Sequence, residues 1–191
     1  MHASCDYGDC YGALLHDMTS FEIVRETLCE HCPDSNQEST KQNILHVEPA
    51  YSDVEASIGV ALQVARLDDF ECEACGGKGA RQQTRLGELP LCLITHSNKY
   101  AASSGPSLGA IVRVAGSDMQ RVAVTHHIGD AADSGHYTAT VATEKGEVYD
   151  CNDSIICRRS ELCDRLWHNS YLSFLHKPDA CQSASQGVLI P

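Results

Sequence analysis

Between Ser134 and Ser154 the chain reads "SGHYTATVATEKGEVYDCNDS". Two short runs rich in β-branched and aromatic residues, "GHYTATVAT" and "GEVYDC", meet at Lys145-Gly146. That pattern predicts adjacent antiparallel strands joined by a tight turn. Such a pair brings the start of its first strand beside the end of its second, so His136 should stand next to Asn152. An imidazole oriented at one nitrogen by an amide, with the other free to abstract a thiol proton, supplies everything in a cysteine-hydrolase site except the thiolate. Strand alternation turns Cys151 away from the side chain of Asn152. The plainer alternative is a hairpin whose His136 and Asn152 are polar residues at strand ends. His96, His126 and His127 compete for the role, but they lie in apolar runs where a satisfied core histidine is more usual.

The strand texture extends outward from this hairpin. "LPLCLITH", "GAIVRVA", "RVAVTHH" and "SYLSFLH" carry the same residue types at short spacing, punctuated by Gly, Ser and Asp. The N-terminal third is different. Asp9 to Met18 reads as a short helix, "PDSNQESTKQ" as a polar stretch of turn formers, and "ILHVEPAY" as a strand. Val54, Ile58, Ala61, Leu62 and Ala65 fall at helical spacing, with Ser52 or Asp53 placed to cap the start. A further short helix is expected over Ser160 to Leu166. Runs of strands with a few helices kept to one side define an α+β fold with a mostly antiparallel sheet.

Cys29-x-x-Cys32 and Cys72-x-x-Cys75 are each spaced for two thiolates to reach one tetrahedral ion. Gly76-Gly77 after the second pair lets the backbone fold back toward sulfur. Four thiolates make a closed structural site, so zinc here would hold the fold and leave no position for a reacting water. Unconnected cysteines are the alternative. A redox role fits less well, because neither pair stands at a strand-to-helix junction.

The formal net charge of -12 and the lack of any Lys/Arg cluster argue against nucleic acid as a main partner. No apolar run is long enough to span a bilayer, and the first residues do not read as a signal peptide. Eleven cysteines without a secretion signal suggest metal or free thiols in the cytoplasm or nucleus.

Several of these segments, taken in order, resemble the ubiquitin-specific protease family of papain-like cysteine deubiquitinases. "VAVTHHIGDAADSGHYTATV" is similar to the family's histidine box, and "GEVYDCNDSIICR" to the box supplying its third catalytic residue. "SYLSFLH" resembles the closing strand, and "LPLCLITHSNKY" the strand after the zinc site. The resemblance covers roughly Phe21 to Lys177. It implies a palm and a zinc-pinned, β-rich fingers insert, with the thumb largely absent. The expected division is 1–20 as a remnant of a thumb helix, 21–88 as fingers, 89–177 as palm and 178–191 as a frayed tail. It further implies a structural zinc held by the four paired cysteines and hydrolysis at the C-terminal glycine of ubiquitin, with ubiquitin or ubiquitinated proteins as partners. By position, His136 is the general base, Asn152 its orienter and Asp153 an auxiliary polar residue.

The family's nucleophile box, of the kind Gly-Asn-Thr-Cys-Tyr, has no convincing counterpart. "YGDCYGALL" offers Cys10-Tyr11 but lacks the Asn-Thr. The same residues also resemble the helix that precedes the fingers, with Cys10 replacing a packing alanine. Three readings follow: a partial deubiquitinase domain, a catalytically dead ubiquitin-binding pseudoenzyme, or a shortened active enzyme using Cys10. A lost thumb would expose apolar palm surface, which predicts self-association or pairing with a missing N-terminal half.

Overall fold

The computed structural model describes residues 7–48, 54–97, 108–131, 134–159 and 170–178, with the backbone alone at 7–11, 130, 131 and 159. Two helices, α1 (Tyr7–Thr19) and α2 (Val54–Ala61), accompany two sheets. The smaller sheet contains β1 (Phe21–Cys29), β2 (Ser35–Gln42), β4 (Ala65–Glu71) and β5 (Lys78–Leu86), in the order β2-β1-β5-β4 and antiparallel throughout.

The larger sheet takes the remaining strands. These are β3 (Ile44–Val47), β6 (Cys92–Ser97), β7 (Ile111–Val114), β8 (Ser117–Ala131), β9 (Ser134–Ala142), β10 (Val148–Asn152), β11 (Ile155–Arg159) and β12 (Ser170–His176). Their order is β11-β10-β9-β8-β12-β6-β3, with β7 paired to the first part of β8. Only β3 and β6 run parallel among the pairs described. Because β3 and α2 interrupt the strands of the smaller sheet, the span 21–88 serves both sheets.

The core lies on one face of the larger sheet. Leu93 and Leu175 alternate with half-exposed neighbours along β6 and β12, as a sheet covered on one side requires. They pack with Leu45, Val47, Val112, Val114 and Met119 beneath Val54 and Ile58 of α2. Each fully buried side chain of this size contributes about 1.5–3 kcal/mol. Phe21 and Ile23 carry the base of β1 into the same cluster, which joins the two sheets. The opposite face, with Ile94, Leu172 and Phe174, is half-buried.

Two elements depart from the sequence expectation. "PDSNQESTKQ" is not a run of turns: Ser35–Gln42 forms β2, laddered to β1 from Phe21↔Gln42 to Leu28↔Ser35. Its side chains are nearly all exposed, so no apolar alternation marks it and the ladder to β1 overrides its turn-forming composition. The helical run from Val54 stops at Ala61, and Ala65 opens β4. The helix expected over 160–166, and Ser52 and Asp53 as caps, lie outside the described residues.

Candidate functional site

β9 and β10 form the expected hairpin, in register from Val148↔Ala142 to Cys151↔Ala139. The connection turns through Gly146 (φ 78°), whose N–H donates to the Thr143 carbonyl at 2.9 Å. At the far end the structure brings His136 and Asn152 together, with Nε2 to Oδ1 at 2.6 Å. An amide oxygen only accepts, so Nε2 carries the hydrogen and Nδ1 keeps its lone pair. Both residues are exposed. The arrangement can orient a neutral imidazole as a base. Asp153, next in sequence, sits at the β10–β11 turn with φ 50°, a conformation that short polar side chains tolerate. Its carboxylate is exposed.

His127 has a part that sequence reasoning assigned only to core filling. It is buried, and its ring lies against the Gly135 backbone. A Cβ at Gly135 would collide with His127 Nε2, and one at Gly129 would come within 2.7 Å of the Ser134 carbonyl oxygen. The two glycines let the end of β8 and the start of β9 approach closely beside the ring, one residue before His136. The placement of Gly129 and Gly135 between His127 and His136 was the available signal. His126 is buried and hydrogen-bonded to Thr140, while His96 is half-buried with its Nδ1 2.9 Å from His46 Nδ1. A cavity of about 300 Å³, lined by Leu108, Arg121, Val148 and His176 among others, lies by the Gly146 turn, at the other end of β9 and β10 from His136.

The second constellation joins two hairpin tips. Cys29 and Cys32 occupy the turn from β1 to β2, closed by Cys29 N–H to the Asp34 carbonyl at 3.1 Å. Cys72 and Cys75 occupy the turn from β4 to β5, closed by Cys72 N–H to the Gly77 carbonyl at 2.9 Å. All four sulfurs lie within 4.8 Å of one another, and the Cys29–Cys75 and Cys32–Cys72 separations are each 3.7 Å. Tetrahedral Zn–S bonds of about 2.3 Å require sulfur separations of about 3.8 Å, so the set fits a structural zinc.

Backbone donors complete each tip. The His31 N–H reaches Cys29 Sγ at 3.3 Å and the Gly77 N–H reaches Cys75 Sγ at 3.4 Å. The His31 N–H is the chief reason that the Cys29 thiol is pulled down to about 7, while Cys32 and Cys72, set among the neighbouring sulfurs, are pushed up. The His31 ring spans the two tips, with Nε2–H donating to the Lys78 carbonyl at 2.7 Å.

Cys10 lies in the first turns of α1, but its side chain is outside the described residues. The backbone of α1 runs near β6, which is separated from β9 by β8 and β12. No helix among the described residues is long and apolar enough to cross a membrane.

No protein-family model matches the chain, and no curated protein matches it. Solved structures do. A chain of the SAGA DUB module Ubp8/Sgf11/Sus1/Sgf73 bound to monoubiquitin is similar over 87% of this chain and 42% of its own length, with a TM-score of 0.73 and 17% identity. The same module bound to ubiquitin aldehyde gives a TM-score of 0.71 at 17% identity, over 87% of this chain and 43% of that one. A form of the module with a shortened Sgf11 gives 0.72 at 16%, over 87% and 42%. At such identities the likeness is one of fold. The chain spans less than half the length of the chains that it matches.

Proposed function

We propose that this chain is the fingers and palm portion of a papain-like cysteine deubiquitinase of the ubiquitin-specific protease type. The observation that carries the reading is the His136 Nε2–Asn152 Oδ1 contact at 2.6 Å, which leaves Nδ1 to accept a thiol proton. In the proposed reaction a cysteine thiol gives its proton to His136 Nδ1, and the thiolate attacks the carbonyl of ubiquitin's C-terminal glycine. The imidazolium returns the proton to the departing amine. Water, deprotonated by the same ring, then cleaves the thioester. Asp153 is an auxiliary polar group beside the pair, and zinc is confined to holding the fingers.

Ubiquitin is the proposed partner, in cytoplasm or nucleus. The fold shared with chains from ubiquitin-bound modules supports it, as does the order of the histidine, asparagine and cysteine-pair segments. The thiol comes either from Cys10 or from an N-terminal half outside this chain. Apolar side chains left open lend support to such a half: Ile94, Leu172 and Phe174 are only half-buried, and Leu14 and Leu15 of α1 are 53% and 61% exposed. Left uncovered, such side chains would favour self-association of the isolated chain.

The test is mass spectrometry of the zinc-loaded chain after incubation with ubiquitin bearing a thiol-reactive group at its C-terminus, with ubiquitin binding measured in parallel. An adduct on Cys10 that His136→Ala abolishes establishes a self-contained enzyme. Binding without an adduct leaves the chain as the binding part of an enzyme or pseudoenzyme. Absence of both the adduct and ubiquitin binding overturns the reading.

A further inference from the structure

The ladder between β9 and β10 ends at Cys151↔Ala139. Beyond that rung Thr138, Tyr137 and His136 pair only with β8, and Asn152 pairs only with Ile155 of β11. The His136–Asn152 contact therefore spans a gap that no backbone hydrogen bond of the β9–β10 pair closes. Its length depends on how β10 leaves β9 at the last rungs.

One of those rungs carries a chain of side chains on the same face as the pair. Thr140 lies four residues after His136 and Asp150 two before Asn152, so alternation puts all four on one side of the sheet. Thr140 is directly opposite Asp150, and its hydroxyl donates to Asp150 Oδ1 at 2.9 Å. The hydroxyl's one hydrogen is thereby committed, so His126 Nε2–H donates to Thr140 Oγ1 at 3.1 Å. A donor chain from β8 through β9 to β10 results, ending on a carboxylate. His126 is 2% exposed and Thr140 1%, so the bonds are made away from water, where hydrogen bonds to charged acceptors are strongest.

We propose that His126, Thr140 and Asp150 are positioning residues for the His136–Asn152 pair. They set the departure of β10 so that Asn152 Oδ1 meets Nε2 and the ring is held in the Nε2–H tautomer. The inference deepens the proposed function and rests on it for the pair's role. Its test reads the ring itself, without ubiquitin, substrate or nucleophile. A failure here leaves the deubiquitinase reading standing, and a failure of that reading leaves the relay standing.

The experiment is 15N NMR of histidine-labelled, zinc-loaded full chain at neutral pH, with His136 assigned by its substitution. In the unsubstituted chain the two ring nitrogens of His136 should show well-separated shifts, one protonated and one bare. Thr140→Val keeps the shape and removes the hydroxyl. It should collapse that separation toward the average of two exchanging tautomers. Thr140→Ser should restore the pattern. If Thr140→Val does not fold, Asp150→Ala at its half-buried position removes the acceptor end and must give the same collapse. A folded variant, lower in Tm but with the His136 shifts unchanged, reduces the relay to a stabilising element and overturns the proposal.

Discussion

The two sheets of this chain hold together by different physics. In the four-stranded sheet β2 is polar and almost wholly exposed, β4 is mostly exposed, and the buried residues away from its base are Cys72, Gly79 and Ala80. Exposed pairs such as Arg66–Glu30 at 3.3 Å and Arg85–Glu26 at 2.9 Å add little, on the order of 1 kcal/mol or less each. With so little apolar surface to bury, the two hairpins need the metal that their tips are built to share. The eight-stranded sheet, β7 included, buries an apolar cluster from β3, β6, β7, β8 and β12 against α2. One sheet is specified by four cysteines, the other by alternation.

The largest expected effect tests that contrast. Structural zinc in small domains is worth about 10–16 kcal/mol of folding free energy. Stripping zinc, or Cys72→Ser, should abolish amide-exchange protection through β2, β4, β5 and the outer half of β1. Protection in β6, β8 and β12 should persist. Simultaneous loss from both sheets would make them one cooperative unit and end the distinction. The reverse experiment is Leu93→Ala, at a site with no exposure. It should cost about 2–5 kcal/mol in urea unfolding of the larger sheet. Bound zinc should stay at one ion per chain under native conditions.

The same contrast explains what could be read from residues. His136 and Asn152 were legible as neighbours because β-branched runs on either side of Lys145-Gly146 admit one pairing, and the structure joins them at 2.6 Å. The cysteine pairs were legible because their spacing carries the geometry of the ion. Ser35–Gln42 was not, since a strand exposed on both faces has no alternation to display and its partner lies across a zinc-held turn. Nor was the membership of β3 in the larger sheet, because a four-residue parallel pairing to β6, some fifty positions away, leaves no local mark. The relay through Thr140 was hidden for a related reason: alternation predicts a shared face, but a hydrogen bond needs the register.

A smaller effect is expected at the seam between scaffold and site. Gly135→Ala places a methyl group against the His127 ring. Overpacking of that kind costs about 1–3 kcal/mol, and the strain is local. The ring must tilt or the start of β9 must lift, and either movement displaces His136. The variant should therefore lose reactivity toward thiol-directed ubiquitin probes, or the tautomer signature of His136, by a larger factor than its Tm shift implies. Unchanged His136 shifts at lowered Tm would make Gly135 a packing residue alone.

The smallest effect is one of pH, and it belongs to the larger sheet. His96 on β6 faces His46 on β3, Nδ1 to Nδ1 at 2.9 Å, with the Tyr171 ring packed edge-on against it. Its Nε2 is buried and has no hydrogen-bond partner among the described residues. One hydrogen is shared between the facing Nδ1 atoms, so a proton added to His96 has no new acceptor there and meets a second imidazole. Burial first, and then His46, hold His96 below its ordinary 6.5. A base that binds its proton less readily when folded favours the unfolded chain as pH falls. The stability it contributes is present above about pH 6.5 and is lost progressively below it. Thermal unfolding should be level between about pH 8 and 7 and then decline toward pH 5. His96→Gln, which keeps a polar side chain of similar reach but cannot titrate, should flatten that decline. A slope that survives the substitution would assign the acid sensitivity to other groups, and the His46–His96 contact would then be only a packing feature of β3 on β6.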